Sequence, residues 1–319
     1  SISAANVSAT ADNSAVINAL TIAGSASVST GGNALGGAGS GSGNFVVSTT
    51  TAGVLNPSGS RNLIATGDIK IEATDSSEID ADAGTGALSV STNGGNMGAV
   101  AIGAAAADNE ITKTTTAALQ NVNASGANVD VTASSTGTIS AFTLGISGSL
   151  NTSNGPLSLA GAGSGSGNYI TSTTTASIDP STVNATGDVT VSAIDSATIT
   201  ATAGAVGISL NVGSGSGAKV GVGLGLAIAI NEINSSALAL VEDSSVFAGG
   251  AISVTAGNTG NIDATAFGVS LTVSNSSSAA AVGVSANIAV TTNDLTLTSR
   301  AAITDDAAGN PHSVSAGAG

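Results

Sequence analysis

The chain has 319 residues, of which 44 are Gly, 2% are aromatic and only 8% are charged, against about 25% charged in an ordinary globular domain. Twenty acidic residues against five basic ones give a net charge of −15. Arg61, Lys70, Lys113, Lys219 and Arg300 form no basic stripe of the kind that neutralises nucleic-acid phosphates. At 41% apolar the chain is too hydrophobic to stay disordered, and without Cys it can carry neither disulfide staples nor thiol catalysis.

From Ser1 onward there is no charged and apolar leader, so any export signal is expected to have been removed or to lie outside this segment. Gly37–Asn44 (GAGSGSGN) predicts a flexible turn. No Lys-Ser/Thr follows Gly43, so it lacks the cation of a phosphate loop. Ser48 to Thr51 is a run of hydroxyls open to glycosylation or surface contact, and by default the solvated face of a strand. Ala65-Thr66-Gly67 then predicts a turn, followed by alternating Ile69 and Ile71.

The same sentence is written again further on. Turn signatures end at Gly67, Gly126, Gly187 and Gly250, at intervals of 59, 61 and 63 residues. Apolar pairs follow each, as at Val189 and Val191. An anchor comes later in every unit, at Ile79, Ile139, Ile199 and Ile262, and Leu63, Val122, Val183 and Val246 precede the turns. A longer period overlies this one: GAGSGSGN recurs at Gly161–Asn168, and Asn109-Glu110-Ile111 recurs as Asn231-Glu232-Ile233. Units are therefore expected at 1–67, 68–126, 127–187, 188–250 and 251–309, with the next starting at 310–319, as a window on a longer array.

Within a unit the period is two, as half-buried strands require. Val220 to Ile230 alternates branched residues with Gly or Ala, giving a hydrophobic ridge on one face and nearly bare backbone on the other, which another sheet, coil or chain can approach closely. Weaker versions occur at 98–107 and 279–290. The longest apolar run is about half of a membrane-spanning helix, and Tyr169 with four Phe cannot furnish the aromatic girdles of a membrane barrel. The fold class expected is all-β, a repetitive, β-helix-like β-solenoid with units of about 61 residues. Each unit would hold four to six strands of ordinary length in two or three coils. Small sandwich domains are the alternative, although the units lack aromatic core anchors.

Chemistry is sparse. A nucleophilic triad needs a base, and the single histidine, His312, sits near the end of the chain beside Pro311. Paired carboxylates such as Asp80 with Asp82, or Glu242 with Asp243, are explained as turn and edge residues. Calcium would take oxygen ligands from Asp75, Glu78, Asp80 and Asp82, or from Asp305 and Asp306. The glycine-rich nonapeptide of calcium-binding β-rolls is missing, and the acids recur only in part, Asp68 with Asp188 and Asp75 with Asp195. No catalytic, cofactor-binding or metal-ligating residue is assigned, and no enzyme is expected.

The text Asp188-Val189-Thr190-Val191-Ser192-Ala193, with Ser196 to Ala201 and Ala227 to Ile233, resembles the repetitive regions of giant bacterial surface adhesins of the filamentous-haemagglutinin-like, leukotoxin-like and autotransporter-passenger types. That resemblance covers nearly the whole chain. It implies a β-helical fibre outside the cell or on its surface, acting as a stalk or adhesive filament. The expected partners are further copies in filaments or bundles, joined through Gly/Ala-rich faces, and cell-surface or carbohydrate groups; neither nucleic acid nor a membrane-spanning segment is expected. A carbohydrate- or ice-binding solenoid with Thr-rich faces is the competing expectation. Against it, Thr198-Ile199-Thr200 has no counterpart at Glu78-Ile79-Asp80.

Overall fold

The computed structural model describes residues 1–56, 59–93, 98–213, 216–305 and 312–317. The chain winds into five coils, each made of one short and two very long strands. Coil 1 contains β1 (Ile2–Ala4), β2 (Val7–Thr30) and β3 (Ala34–Leu55); coil 2 contains β4 (Arg61–Ala65), β5 (Ile69–Thr92) and β6 (Gly98–Gln120). Coil 3 is β7 (Val122–Gly126), β8 (Val129–Asn151) and β9 (Leu157–Ile178), and coil 4 is β10 (Thr182–Ala185), β11 (Val189–Asn211) and β12 (Lys219–Glu242). Coil 5 is β13 (Ser245–Ala248), β14 (Ile252–Ser274) and β15 (Ala281–Thr304), after which β16 (Val314–Ala316) starts another turn.

Equivalent strands pair in parallel with those above and below, giving a narrow sheet A (β1-β4-β7-β10-β13-β16) and two broad sheets, B (β2-β5-β8-β11-β14) and C (β3-β6-β9-β12-β15). This is a β-solenoid whose unit of about 61 residues makes one coil, not the two or three expected. The broad strands run 22 to 24 residues, about four times the usual strand, and at about 3.3 Å per residue they stretch roughly 75 Å. The molecule is a flat blade: proximally closed by sheet A, distally by the turns that join B to C. Gly37–Asn44 and Gly161–Asn168 are not turns but parts of β3 and β9, because pairing with β6 along β3, and with β6 and β12 on either side of β9, supplies the backbone partners that hold a glycine strand extended.

The interior tapers. Proximally it is filled by branched side chains, Leu63, Val183 and Val246 from sheet A against Ile69, Val131 and Val189 from sheet B. In mid-blade the anchors Ile79, Ile139 and Ile199 stack in one column and meet Ile111, Ile170 and Ile233 of sheet C. Distally the sheets nearly touch. A Cβ on Gly207 would stand 2.6 Å from the Leu224 carbonyl oxygen, and one on Gly103 would stand 2.5 Å from that of Ile146. The Gly/Ala face of β12 is therefore turned inward: Gly221, Gly223 and Gly225 are buried while Leu224, Leu226 and Ile230 are exposed. The chain that approaches this bare backbone is the opposite sheet of the same solenoid.

Two ladders hold the coils in step. Inside sheet C, Asn44, Asn109, Asn168 and Asn231 each donate from Nδ2 to the Oδ1 of the next Asn, ending on Asn293, every bond 2.8 Å. At the corner between sheets A and B, Asn6 Oδ1 accepts from the Asp68 amide, Asp68 from Asn128, Asn128 from Asp188 and Asp188 from Ala251, at 2.7–3.1 Å. Asp68 and Asp188 are thus the turn residues expected of them. One landmark shifts: Ala65 and Ala185 are level with Gly126, and Val122 is level with Arg61 instead of Leu63. The turn signature at Ala124–Gly126 lies two residues out of phase: coil 3 has one residue fewer between its last sheet A residue and Val129, and its Ala124 stands one residue further ahead of the long strand than Ala65 and Ala185 do of theirs. At the corner from C to A the chain turns through left-handed Asn121 (φ 54°) and Asp243 (φ 48°), residue types that tolerate this region.

Candidate functional site

Alternation sends odd and even residues of a strand to opposite faces, and that separates the four acids of coil 2. Asp75 is fully buried, whereas Glu78, Asp80 and Asp82 line the outer face of β5. They do not converge on one ion. Asp75 instead receives hydrogen bonds from Asn13, Ser48, Thr50 and Ser77 at 2.8–2.9 Å. Two coils on, its repeat equivalent Asp195 receives them from Ser172, Thr174 and Ser235 at 2.5–2.6 Å. Both carboxylates bind hydroxyls that belong to the facing sheet, so they clasp B to C. Burial pushes the Asp75 carboxyl up, but its four donors together hold it below the usual carboxylate value.

Between these acids lies Lys113, 2% exposed, its Nζ without a hydrogen-bond partner. Desolvation lowers its pKa to about 8, against the opposing pull of Asp195 and Asp75. Lys219 is also buried, and its Nζ donates to the carbonyls of Ser153 and Gly155 at 2.8 and 3.0 Å, tying the distal turn of coil 3 to coil 4. Burial lowers its pKa as well. Two of the five basic residues are thus structural, and little positive charge is left at the surface.

A second acidic group gathers at the C-to-A corner. Asp305 follows Thr304, which pairs with Glu242, and so falls beside Asp243. His312 completes a set whose ligand atoms lie within 4.8 Å of one another, with His312 Nε2 3.8 Å from Asp305. Nearby, burial and the charges of Glu242 and Asp243 raise the Asp179 pKa. The separation of 62 between Asp243 and Asp305 is one unit, so that pair was visible in the repeat; His312 joins it only because the coil brings residue 312 back under residue 243. Asp306 and Pro311 lie outside the described residues. Asp80 and Asp82 share an open groove with Asn18 and Leu20, and among the described residues no base or cation lines it.

The outer faces are divided along the strands. Toward the proximal end of sheet C, Thr49, Thr114 and Thr173 stand in one exposed column that ends at Thr298, with Ser236 between. The neighbouring column holds Thr112, Thr171 and Thr296. Thr-x-Thr, which on sheet B stands at Thr198-Ile199-Thr200 without a counterpart at Glu78-Ile79-Asp80, thus recurs in these two columns on three of the five coils of sheet C. The distal half is apolar on both sides of the blade: Ile208, Val269 and Leu271 are exposed on sheet B, Leu224, Leu226 and Ile288 on sheet C.

No protein-family model matches the chain, and no curated protein or solved structure matches it.

Proposed function

We propose that the chain is a segment of an extracellular structural fibre or adhesin stalk that associates with itself and carries out no catalysis. The observation that carries this reading is the Asn ladder. Five Asn spaced by one coil, joined by four bonds that all run in the same direction, make each coil a template for the next, as stacked Asn side chains do in other cross-β arrays. β14 and β15 present long strand edges on which a further coil of the same kind would stack. The membership among giant surface adhesins suggested by the repeat text fits this geometry, as does a surface location. Electron microscopy with mass-per-length measurement tests the reading: rods carrying about 61 residues for every ~4.8 Å of axis are expected, and compact particles of uniform size would refute it.

A second reading is favoured by the threonine columns of sheet C. Hydroxyls repeating at roughly 4.8 Å across coils and 6.6 Å along strands form a regular array suited to an ordered carbohydrate or to ice. Changing Thr114, Thr173 and Thr298 to Lys would abolish glycan retention or inhibition of ice recrystallisation if this face is the binding surface, and would leave both unchanged if it is not.

A further inference from the structure

We propose that two copies of this chain pack sheet C against sheet C, related by a two-fold axis parallel to the strands and lying between β9 and β12, with the Leu/Ile ridge of each seated on the glycine shelf of the other. The proposal rests on the self-association read above and gives it a surface and a geometry.

The distal half of sheet C is stepped. Each outward column changes size from coil to coil: Gly39, Ala104 and Gly163 in coils 1 to 3 are level with Leu226 and Ile288 in coils 4 and 5. The next column runs Gly41, Ala106, Gly165, then Ile228 and Val290. In these two columns coils 1 to 3 form a low shelf and coils 4 and 5 a ridge; in the column before them the large residues are Ile102 in coil 2 and Leu224 in coil 4, with Gly161 and Ala286 beside them.

Three of the shelf glycines have no packing role within one copy. Inward glycines such as Gly207 are required because a Cβ would strike the opposite backbone, but around Gly37, Gly163 and Gly165 nothing lies within 4 Å of where a Cβ would stand. Each glycine in a strand interior costs about 0.5–1 kcal/mol relative to Ala, and a strand glycine without an internal neighbour marks the close approach of something else. The ridge, meanwhile, exposes Leu224, Leu226 and Ile230 by 41–43% and Ile288 by 59%, surface that a solvated monomer would be expected to cover.

A second copy is the occupant that fits both halves. Rotation about an axis along the strands keeps each column opposite itself and reverses the order of the coils. Gly163 then faces the other copy's Leu226, Gly165 its Ile228, Gly161 its Leu224, Ala104 its Ile288 and Ala286 its Ile102, so that small opposes large in these three columns. Four columns across four coils cover about 500 Å² on each copy, and the adjoining Val100, Leu159, Val222 and Val284 raise the total for both to about 1,300 Å², inside the range of specific interfaces. Asp108 stands at the proximal edge of the contact, level with Ile230 and opposite the other copy's Thr292, and beyond it the contact stops where Glu110, Glu232 and Asp294 begin.

Sedimentation velocity on the 319-residue chain, with denaturation midpoints confirming that each variant folds, tests this. The wild type is expected as a dimer. Leu226→Asp is expected to weaken association at least a hundred-fold, since the symmetry places two unpaired carboxylates in one dry interface. Gly163→Leu should do likewise with no loss of stability, its side chain having open space in the monomer. Combining Gly163→Leu with Leu226→Gly should restore the dimer, because the axis exchanges the two positions; Leu271→Asp on sheet B should leave it intact. If association persists in both single variants, or is lost with Leu271→Asp, the face is wrong while self-association stands. If the double variant stays monomeric, the two-fold pairing is wrong. A wild type that is monomeric at ~100 µM, far above the affinity such an area supports, removes both the face and the self-association.

Discussion

Replacing Asn168 by Ala cuts the Asn ladder at its middle rung. Asn168 accepts from Asn109 and donates to Asn231, so the substitution removes two hydrogen bonds and strands two polar groups, Asn109 Nδ2 and Asn231 Oδ1, on residues that are 0% and 1% exposed. An orphaned buried donor or acceptor costs about 1–3 kcal/mol, and the small cavity adds to this, for a total of about 3–6 kcal/mol. Asn44→Ala strands only one such group, Asn109 Oδ1, which loses its single donor, so about half that loss is expected. Urea titration followed by circular dichroism measures both, with the slope compared to establish that a single transition is being read. The expected order is wild type, Asn44→Ala, Asn168→Ala. Equal losses in the two variants, or a loss below about 1 kcal/mol in Asn168→Ala, would refute the view that the ladder acts as a continuous buried chain of bonds.

The buried lysine gives the blade an unusual pH response. Folded Lys113 releases its proton near pH 8 and the unfolded side chain near 10.5, so the unfolded state binds more protons between these values and stability rises with pH across that window, by about 3 kcal/mol. Lys113→Met should be more stable than wild type by about this amount at pH 7, with the gap closing toward pH 10.5; a gap that is constant with pH would show that the charge is not what the core resists. Asp75 acts at the other end of the scale: its lowered pKa contributes stability that is present above the unfolded value of 3.8 and is lost as pH falls through the folded one, so Asp75→Asn should flatten the acid limb of a stability profile. Gly207→Ala pushes a methyl against the Leu224 carbonyl and must part the two broad sheets, costing about 1–3 kcal/mol. Gly163→Ala should be neutral or slightly stabilising, and matching midpoints for these two variants would contradict the inward and outward assignment of the glycines.

Much of this architecture was legible in one dimension. The alternation in Val189 and Val191 placed them on one face, and the unit-spaced Ile79, Ile139, Ile199 and Ile262 became a single interior column because parallel stacking brings residues one unit apart to the same level. The recurring Asn of Asn109-Glu110-Ile111 and of the two GAGSGSGN segments proved to be rungs of one ladder. What the residues alone left open was the number of coils per unit and which face is inside. Glycine runs look like turns until a neighbouring strand pairs with them, so β3 and β9 were divided where the fold continues. Alternation in Val220 to Ile230 separates Leu from Gly but does not say which set is buried; simple hydrophobicity would choose Leu. The decision belongs to the distance between sheets B and C, which around Gly221, Gly223 and Gly225 leaves room only for small residues such as Gly207 and Ser209, so the larger side chains are turned outward to form the surface through which copies of the chain are proposed to meet.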